Sequence, residues 1–299
     1  VDKIDAISQV IPETLSAATS HDDLQLFFSP MAGYTLIYLN LQSPNVPFFQ
    51  DVQVRKALLM GLNRQQLIDN VLYGAGLVAH SPMLPQTWAY HDKVFQYKYN
   101  VEAARQLLEE AGWRDEDGDG IRERDGQRLS FILLGPDHEL DVALLRSIAA
   151  AWREIGVEAV PQPVAVAGLA ADFLAAHNYD AALVTWELSG DPDPYPLWHS
   201  TQIATGQNYA GWSNGEADEI MEQARITADM GRRIQLYRRF QEIFAQELPA
   251  LLLYHPVYVY GVRDKVKGVQ VGCLNQPADR FRTFADWYIL TRRVAPGGL

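Results

Sequence analysis

The chain has 299 residues, 48% hydrophobic and 21% charged, with a net charge of -12, which is enough for a sizeable core in one or two domains and rules out a disordered chain. The acidic balance, without a run of Lys and Arg, argues against a nucleic-acid partner, and the single cysteine, Cys273, excludes an intrachain disulfide or a cysteine-paired metal or redox site. No stretch reaches the roughly eighteen apolar residues of a membrane span, and the N-terminal VDKIDAISQVIPETL has no charged-then-apolar leader.

Residues 13–18 read as a short helix, 23–28 as a strand and 34–40 as a clearer strand. Asp51 is placed to cap a helix with Val54, Ala57, Leu58 and Leu62 on one face. Asn63, with Gln66 three residues on, starts a second helix that buries Leu67, Ile68, Val71 and Leu72. Arg55 and Lys56 fall on the outer face of the first helix and read as solvated charges. The proline-punctuated loop that follows, with Pro82, Pro85, Trp88 and Tyr90, reads as a covering strap, and loops of this kind also carry ligand contacts. Asn100 caps the next helix, with Val101, Ala104, Leu108 and Ala111 inward and Gly112 as its stop.

The stretch DEDGDGIRERDG has two readings. Asp115, Asp117 and Asp119 at alternate positions, with Gly120 at the sixth, match the first half of a calcium loop and are candidate calcium ligands. The second half departs from it, because Gly126 stands where a bidentate Glu is required. The other reading is a hairpin, 121–124 against 128–133, with solvated acids in a glycine-rich turn.

A strand at 129–134, a helix at 140–155, a strand at 157–164, a helix near 169–176 and a strand at 180–186 predict an α/β fold with a partly parallel sheet. The segment TWELSGDPDPYPLWHS then leaves the carboxyl end of a strand, where open α/β sheets bind ligands. Asp191 and Asp193 on this loop are therefore candidate ligand contacts, with turn and cap chemistry as their other reading. Trp212 is either a ligand-stacking ring or a buried staple ahead of a capping pair, Ser213 and Glu216. A helix over 232–246 stopped by Pro249 and an apolar strand over 251–260 follow. No nucleophile elbow, phosphate loop or zinc-binding H-E-x-x-H is present, and the histidines are scattered singly, so no enzyme is expected.

Four blocks carry a resemblance: F-x-x-D-x-x-V-R-K-A-L with N-R-x-x-L-I and Y-G-x-G at 48–76, A-x-x-L-L-x-x-A-G-W at 104–113, N-Y-A-G-W-S-N-G-E-A-D at 208–218, and R-x-x-Q-x-Y-x-x-x-Q-E-I-F at 232–244. In that order they resemble the extracytoplasmic solute-binding proteins of ABC importers, the oligopeptide/dipeptide-binding family 5, in its C-terminal portion. The resemblance implies a periplasmic-binding-protein-like (type II) lobe with a mixed sheet plus remnants of the first lobe. It places 1–40 at the end of the first lobe and the hinge crossing, 41–254 in the second lobe, and 255–299 in the return to the first.

The implied function is capture of a small solute, peptide or other, between two lobes and delivery to an ABC permease in the membrane, by a monomer without a cofactor. The implied workplace is extracytoplasmic, periplasmic or at the cell surface as a lipoprotein, with signal and anchor expected ahead of Val1. The resemblance also implies that the stretch from Trp186 through Glu187 and Ser189 to Asp191 and Asp193 faces the interlobe cleft, so Trp186, Glu187 and Ser189 join the candidate ligand contacts. In the family the acidic residue three after the tryptophan pairs with a peptide's α-ammonium, and Ser189 stands there in this chain, which leaves room for sugars, opines or metal chelates. The competing readings are a calcium-dependent hydrolase using Glu187, Asp191 and Asp193, and a solute receptor for signalling.

Overall fold

The structure, a computed structural model, describes residues 4–85, 87–188 and 190–289. Its first elements are β1 (Ala6–Ile7), α1 (Pro12–Thr19), β2 (Leu24–Pro30) and β3 (Gly33–Leu39). The helix pair α2 (Val52–Met60) and α3 (Arg64–Val71) begins where the sequence places it. Asp51 Oδ1 accepts the Gln53 amide at 2.8 Å, and Asn63 Oδ1 accepts the Gln66 amide at 3.1 Å. These bonds satisfy amides that the first turn of a helix leaves without partners.

A short strand, β4 (Gly76–Val78), opens the strap and has no counterpart among the elements expected from sequence. The helix α4 (Val101–Glu110) has its predicted cap, Asn100 Oδ1 accepting the Ala103 amide at 2.9 Å, and Gly112 behind it takes φ +86°. The hairpin is made by β5 (Glu123–Arg124) and β6 (Gln127–Arg128), turning through Asp125 and Gly126 at φ 54° and 76°. An Asp-Gly pair with both residues left-handed matches the twist of two-residue hairpins.

Then come β7 (Ser130–Pro136), α5 (Glu139–Arg153), β8 (Glu158–Val164) and a single turn, α6 (Val166–Gly168). The helix expected near 169–176 is a wider-wound segment, Leu169–Leu174, leading into β9 (Ala181–Glu187). Two one-turn helices, α7 (Tyr195–Trp198) and α8 (Gln202–Thr205), precede α9 (Gly215–Ile226). The α9 cap is Asn214, whose side chain accepts the Ala217 amide, one residue beyond the expected Ser213. The helix α10 (Met230–Glu247) ends at Leu248 in the left-handed region, ahead of Pro249, which disfavours continued helix at the residue before it. The chain finishes with β10 (Ala250–Arg263), β11 (Val266–Lys267) and β12 (Tyr288–Ile289).

The main sheet runs β1-β10-β3-β9-β7-β8, with β2 and β4 also on β10. It is mixed: β7 lies parallel to both β8 and β9, whereas β3 is antiparallel to β9 and β10. Along β10 the partners change, from β3 and β4 over 250–256 to β2 over 257–263. The period of two in a strand divides the core between the faces. Ile37, Leu39, Leu183, Leu251 and Leu253 join one cluster with α2 to α5, while Leu36, Tyr38, Ala182 and Leu252 join another with α9 and α10.

Two arginines tie these layers together. Arg55, expected to be solvated, is buried, and its guanidinium donates to the carbonyls of Phe49, Gln50, Glu247 and Leu248 at 2.6–3.0 Å. The last two carbonyls lie at the end of α10, where the helix leaves acceptors free and its dipole favours a cation. Arg64 is likewise buried and donates to the carbonyls of Ala79, Leu252 and Tyr97. Burial pulls its pKa down to about 10, so it stays charged at neutral pH.

Candidate ligand-binding site

The carboxyl end of β9 meets the start of β3 in register, Trp186 opposite Tyr34 and Glu187 opposite Gly33. Gly33 is required by this approach: a Cβ there would stand 2.2 Å from the Trp186 carbonyl oxygen. Beyond this edge lie Leu188 and residues 190–194 after β9, and Pro82, Met83, Leu84, Thr87 and Trp88 of the strap. Between them is a cavity of about 530 Å³, within the usual range of small-ligand sites. Further wall comes from Leu197 and Trp198 of α7, from Gln207, and from Cys273 and Asn275 in the segment after β10.

Trp186, Glu187, Asp191 and Asp193, candidate ligand contacts from the sequence, all line this cavity. Ser189 lies outside the described residues. Trp212 does not line it: the ring is buried against Phe240 and Phe244, and its indole N–H donates to Glu247 at 2.6 Å. A tryptophan inside the helical layer has no face left for a ligand. Sequence reasoning assigns no role in the site to Tyr34, Met83, Cys273 or Asn275, because their place in the wall depends on contacts between distant segments; proline and tryptophan in the strap are the available signal for Trp88.

Trp186 is held from both sides. Its N–H donates to Tyr38 Oη at 2.8 Å, and its ring stacks on Tyr209 at 6.1 Å with planes 19° apart. The Trp198 N–H donates to Tyr34 Oη at 3.3 Å. Burial raises the pKa of both tyrosines far above the usual phenol value, so they remain neutral. Burial also raises the Cys273 thiol and keeps it protonated. The aromatic wall is thus fixed in place before any ligand arrives, which lowers the entropy lost on binding.

The carboxylates are not equivalent. Asp193 Oδ1 accepts the Tyr195 amide at 3.1 Å and its Oδ2 meets Arg225 Nε at 3.1 Å. Asp191 meets Arg233 at 3.1 Å. The Glu187 side chain has no hydrogen-bond or ion-pair partner among the described residues. It is exposed and lines the cavity as a negative charge that no described residue pairs with. Two of the three acids are thus already paired with arginines.

The acidic loop lies elsewhere, beside the hairpin. One oxygen each from Asp115, Asp117 and Glu123 falls within 4.8 Å of the others. Asp119, the third expected calcium ligand, is instead paired with Arg128 at 2.7 Å, which lowers its pKa. Asp115 accepts the Gly118 and Gly120 amides at 2.8 and 3.0 Å, and Asp117 accepts the Asp119 amide at 3.0 Å. Calcium takes six to eight oxygens, and these side chains supply about half of that. Asp115→Ala should lower the melting temperature by about 2–4 °C in chelator, through the lost turn bonds. Repeating the melts in calcium separates this from ion binding, which would make the loss depend on calcium.

No helix among the described residues is long and apolar enough to cross a membrane. The family described as "Bacterial extracellular solute-binding proteins, family 5 Middle" matches residues 2–208. The oligopeptide-binding protein AppA of Bacillus subtilis (strain 168) is 34% identical over 238 residues, covering 78% of this chain and 43% of that protein. The dipeptide-binding protein of Escherichia coli (strain K12) is 28% identical over 271 residues, 89% of this chain and 48% of that one. The solved structure of AppA from Bacillus subtilis in complex with a nonapeptide superposes with a TM-score of 0.79 at 28% identity, covering 96% of this chain and 56% of that chain. The chain spans about half the length of the curated relatives it matches. With the type II solute-binding fold, the mixed sheet and the family match over more than half its length, the chain belongs to the bacterial extracellular solute-binding proteins, family 5.

Proposed function

We propose that this chain is part of the substrate-binding component of an ABC-type importer, working outside the cytoplasm, that captures a peptide-class solute and delivers it to a membrane permease. The observation that carries this reading is the cavity between the strap and the loop after β9, walled by fixed aromatic rings and holding one lone carboxylate, Glu187. Trp88 and Trp186 offer apolar faces to side chains or backbone, and Glu187 offers a partner for a cationic group such as an α-ammonium. Relatives named for oligopeptides and dipeptides, and one solved with a nonapeptide, support the peptide class. Closure of two lobes around a hinge would exclude water from the bound solute. Since the relatives are named for binding peptides, the solute is expected to leave unchanged.

The test is calorimetry with Ala-Ala-Ala and its N-acetylated form, alongside sugars and chelated metals. The free-amine peptide should bind more tightly than the acetylated one. Glu187→Gln should weaken the free-amine peptide about tenfold, the worth of one charge-assisted contact, and leave the acetylated peptide unchanged. Equal binding of the two peptides by the native chain would remove the ammonium role from Glu187.

A further inference from the structure

The arginine that neutralises Asp191 does not itself line the cavity. Arg233, in the first turns of α10, sends its guanidinium between two walls of the site. Its carbon lies 5.0 Å from the ring centre of Trp88, on the strap, and 5.4 Å from that of Tyr237. One of its nitrogens donates to Asp191, on the loop after β9, at 3.1 Å and to the Tyr237 hydroxyl at 3.0 Å. Trp88 in turn packs on Tyr237, ring centres 5.6 Å apart. The Arg233 side chain is 18% exposed and that of Asp191 61%. The cation is therefore seated in the protein, and the anion reaches toward the cavity mouth.

An arginine suits this place because a planar guanidinium stacks on aromatic faces while its edge donates to a carboxylate. A lysine in the same position keeps the charge and loses the stacking geometry. Arg225 does the same for the neighbouring acid, since it meets Asp193 and its guanidinium lies 4.2 Å from the Tyr195 ring centre. Each aspartate beside the cavity thus has an arginine behind it, and Glu187 has none among the described residues.

We propose that Arg233 is a specificity-determining positioning residue: by cancelling Asp191 while stacked on Trp88, it leaves Glu187 as the uncompensated carboxylate of the cavity and sets the site for ligands carrying one cationic group there rather than two. This rests on the reading of the cavity as a peptide-class site. Removing the guanidinium exposes a second carboxylate at the mouth and frees the strap from the loop. The native chain then favours a monocationic end, and a variant without Arg233 shifts toward a dicationic one. The charge balance, and not the shape of the aromatic wall, makes this choice.

The test uses the 299-residue chain, Ala-Ala-Ala and Lys-Ala-Ala as probes, and calorimetry at low and physiological salt. Arg233→Met should raise the affinity for Lys-Ala-Ala relative to Ala-Ala-Ala about fivefold, the ratio expected of one partly shielded charge pair. The gain should shrink with salt and vanish in Arg233→Met combined with Asp191→Asn, while Arg233→Lys keeps the native ratio. A structural role alone would weaken both peptides together and leave their ratio fixed, and that result in a variant with a native melt would overturn the proposal. A second arm needs no ligand: carbodiimide labelling of the Asp191 carboxylate, read by mass spectrometry, should rise several-fold in Arg233→Met. Unchanged labelling would overturn the proposal even if peptides bind. Failure of both peptides to bind the native chain, with labelling raised, would instead refute the peptide reading and leave the masking of Asp191 standing.

Discussion

Arg55→Met is expected to destabilise the chain by about 3–5 kcal/mol, among the largest losses available to a single substitution outside the apolar core. The side chain donates to four backbone carbonyls, of Phe49, Gln50, Glu247 and Leu248. A methionine fills the space and leaves those acceptors without this donor, the Phe49 and Leu248 carbonyls buried and the other two partly so. Each costs roughly 1–3 kcal/mol, less whatever relaxation lets water recover. The loss couples two layers, because Phe49 and Gln50 precede α2 while Glu247 and Leu248 end α10. Arg55→Lys should rescue little, since an ammonium cannot present a fork of donors to carbonyls on two sides. Lys56→Met, at the next position of the same helix, is the control and should stay within about 0.5 kcal/mol. Chemical denaturation of the three variants checks this; a loss for Arg55→Met no larger than the control would show that the carbonyls are rehydrated.

The second expected result is acid sensitivity centred on His80 and His255. Burial first, and then the charge of Arg64 and the neighbouring His255, pull the His80 pKa from 6.5 down to about 4. Burial also lowers that of His255, although its Nδ1 lies 2.8 Å from the Gly33 carbonyl oxygen. An Arg64 nitrogen stands 3.4 Å from His80 Nδ1, and since arginine can only donate, the ring must be neutral to accept. Between pH 6.5 and 4 the unfolded chain therefore takes up a proton at His80 that the folded chain refuses. Stability rises with pH across that window and falls as pH is lowered through it. The full shift would be worth about 3 kcal/mol, and the ring's partial exposure reduces this to roughly 1–2 kcal/mol. His80→Asn should flatten the slope of stability against pH over the window. An unchanged slope in that variant would move the effect to His255 or to the carboxylates.

Much of the scaffold was legible because its signals are local. Asp51, Asn63 and Asn100 cap helices within three residues of themselves, so the spacing of a short polar side chain before an apolar period is enough to find them. The hairpin turn at Asp125 and Gly126 is local in the same sense. The α9 cap was missed by one residue because Ser213 and Asn214 are both good caps, and only backbone geometry chooses between them. The loop after β9 was identified through its place at a strand end; Asp191 and Asp193 on it, and Trp186 and Glu187 at the end of β9, line the cavity.

What could not be read locally were the partners. Arg55 has the sequence context of a surface charge, and its acceptors at the end of α10 lie 192 and 193 residues away. Trp212 has two readings in sequence, a ligand-stacking ring and a buried staple, and the rings of α10 that bury it decide for the second. The sequence by itself determined the element order, the α/β class, the family resemblance and the loop that borders the site. Only the tertiary structure decided which carboxylates are already paired, that the strap and the segment after β10 complete the cavity, and that Glu187 stands unpaired in it. The physical reason is range: caps, turns and periodicity act within a few residues, whereas a charge is cancelled, or a ring buried, by whatever the fold brings beside it.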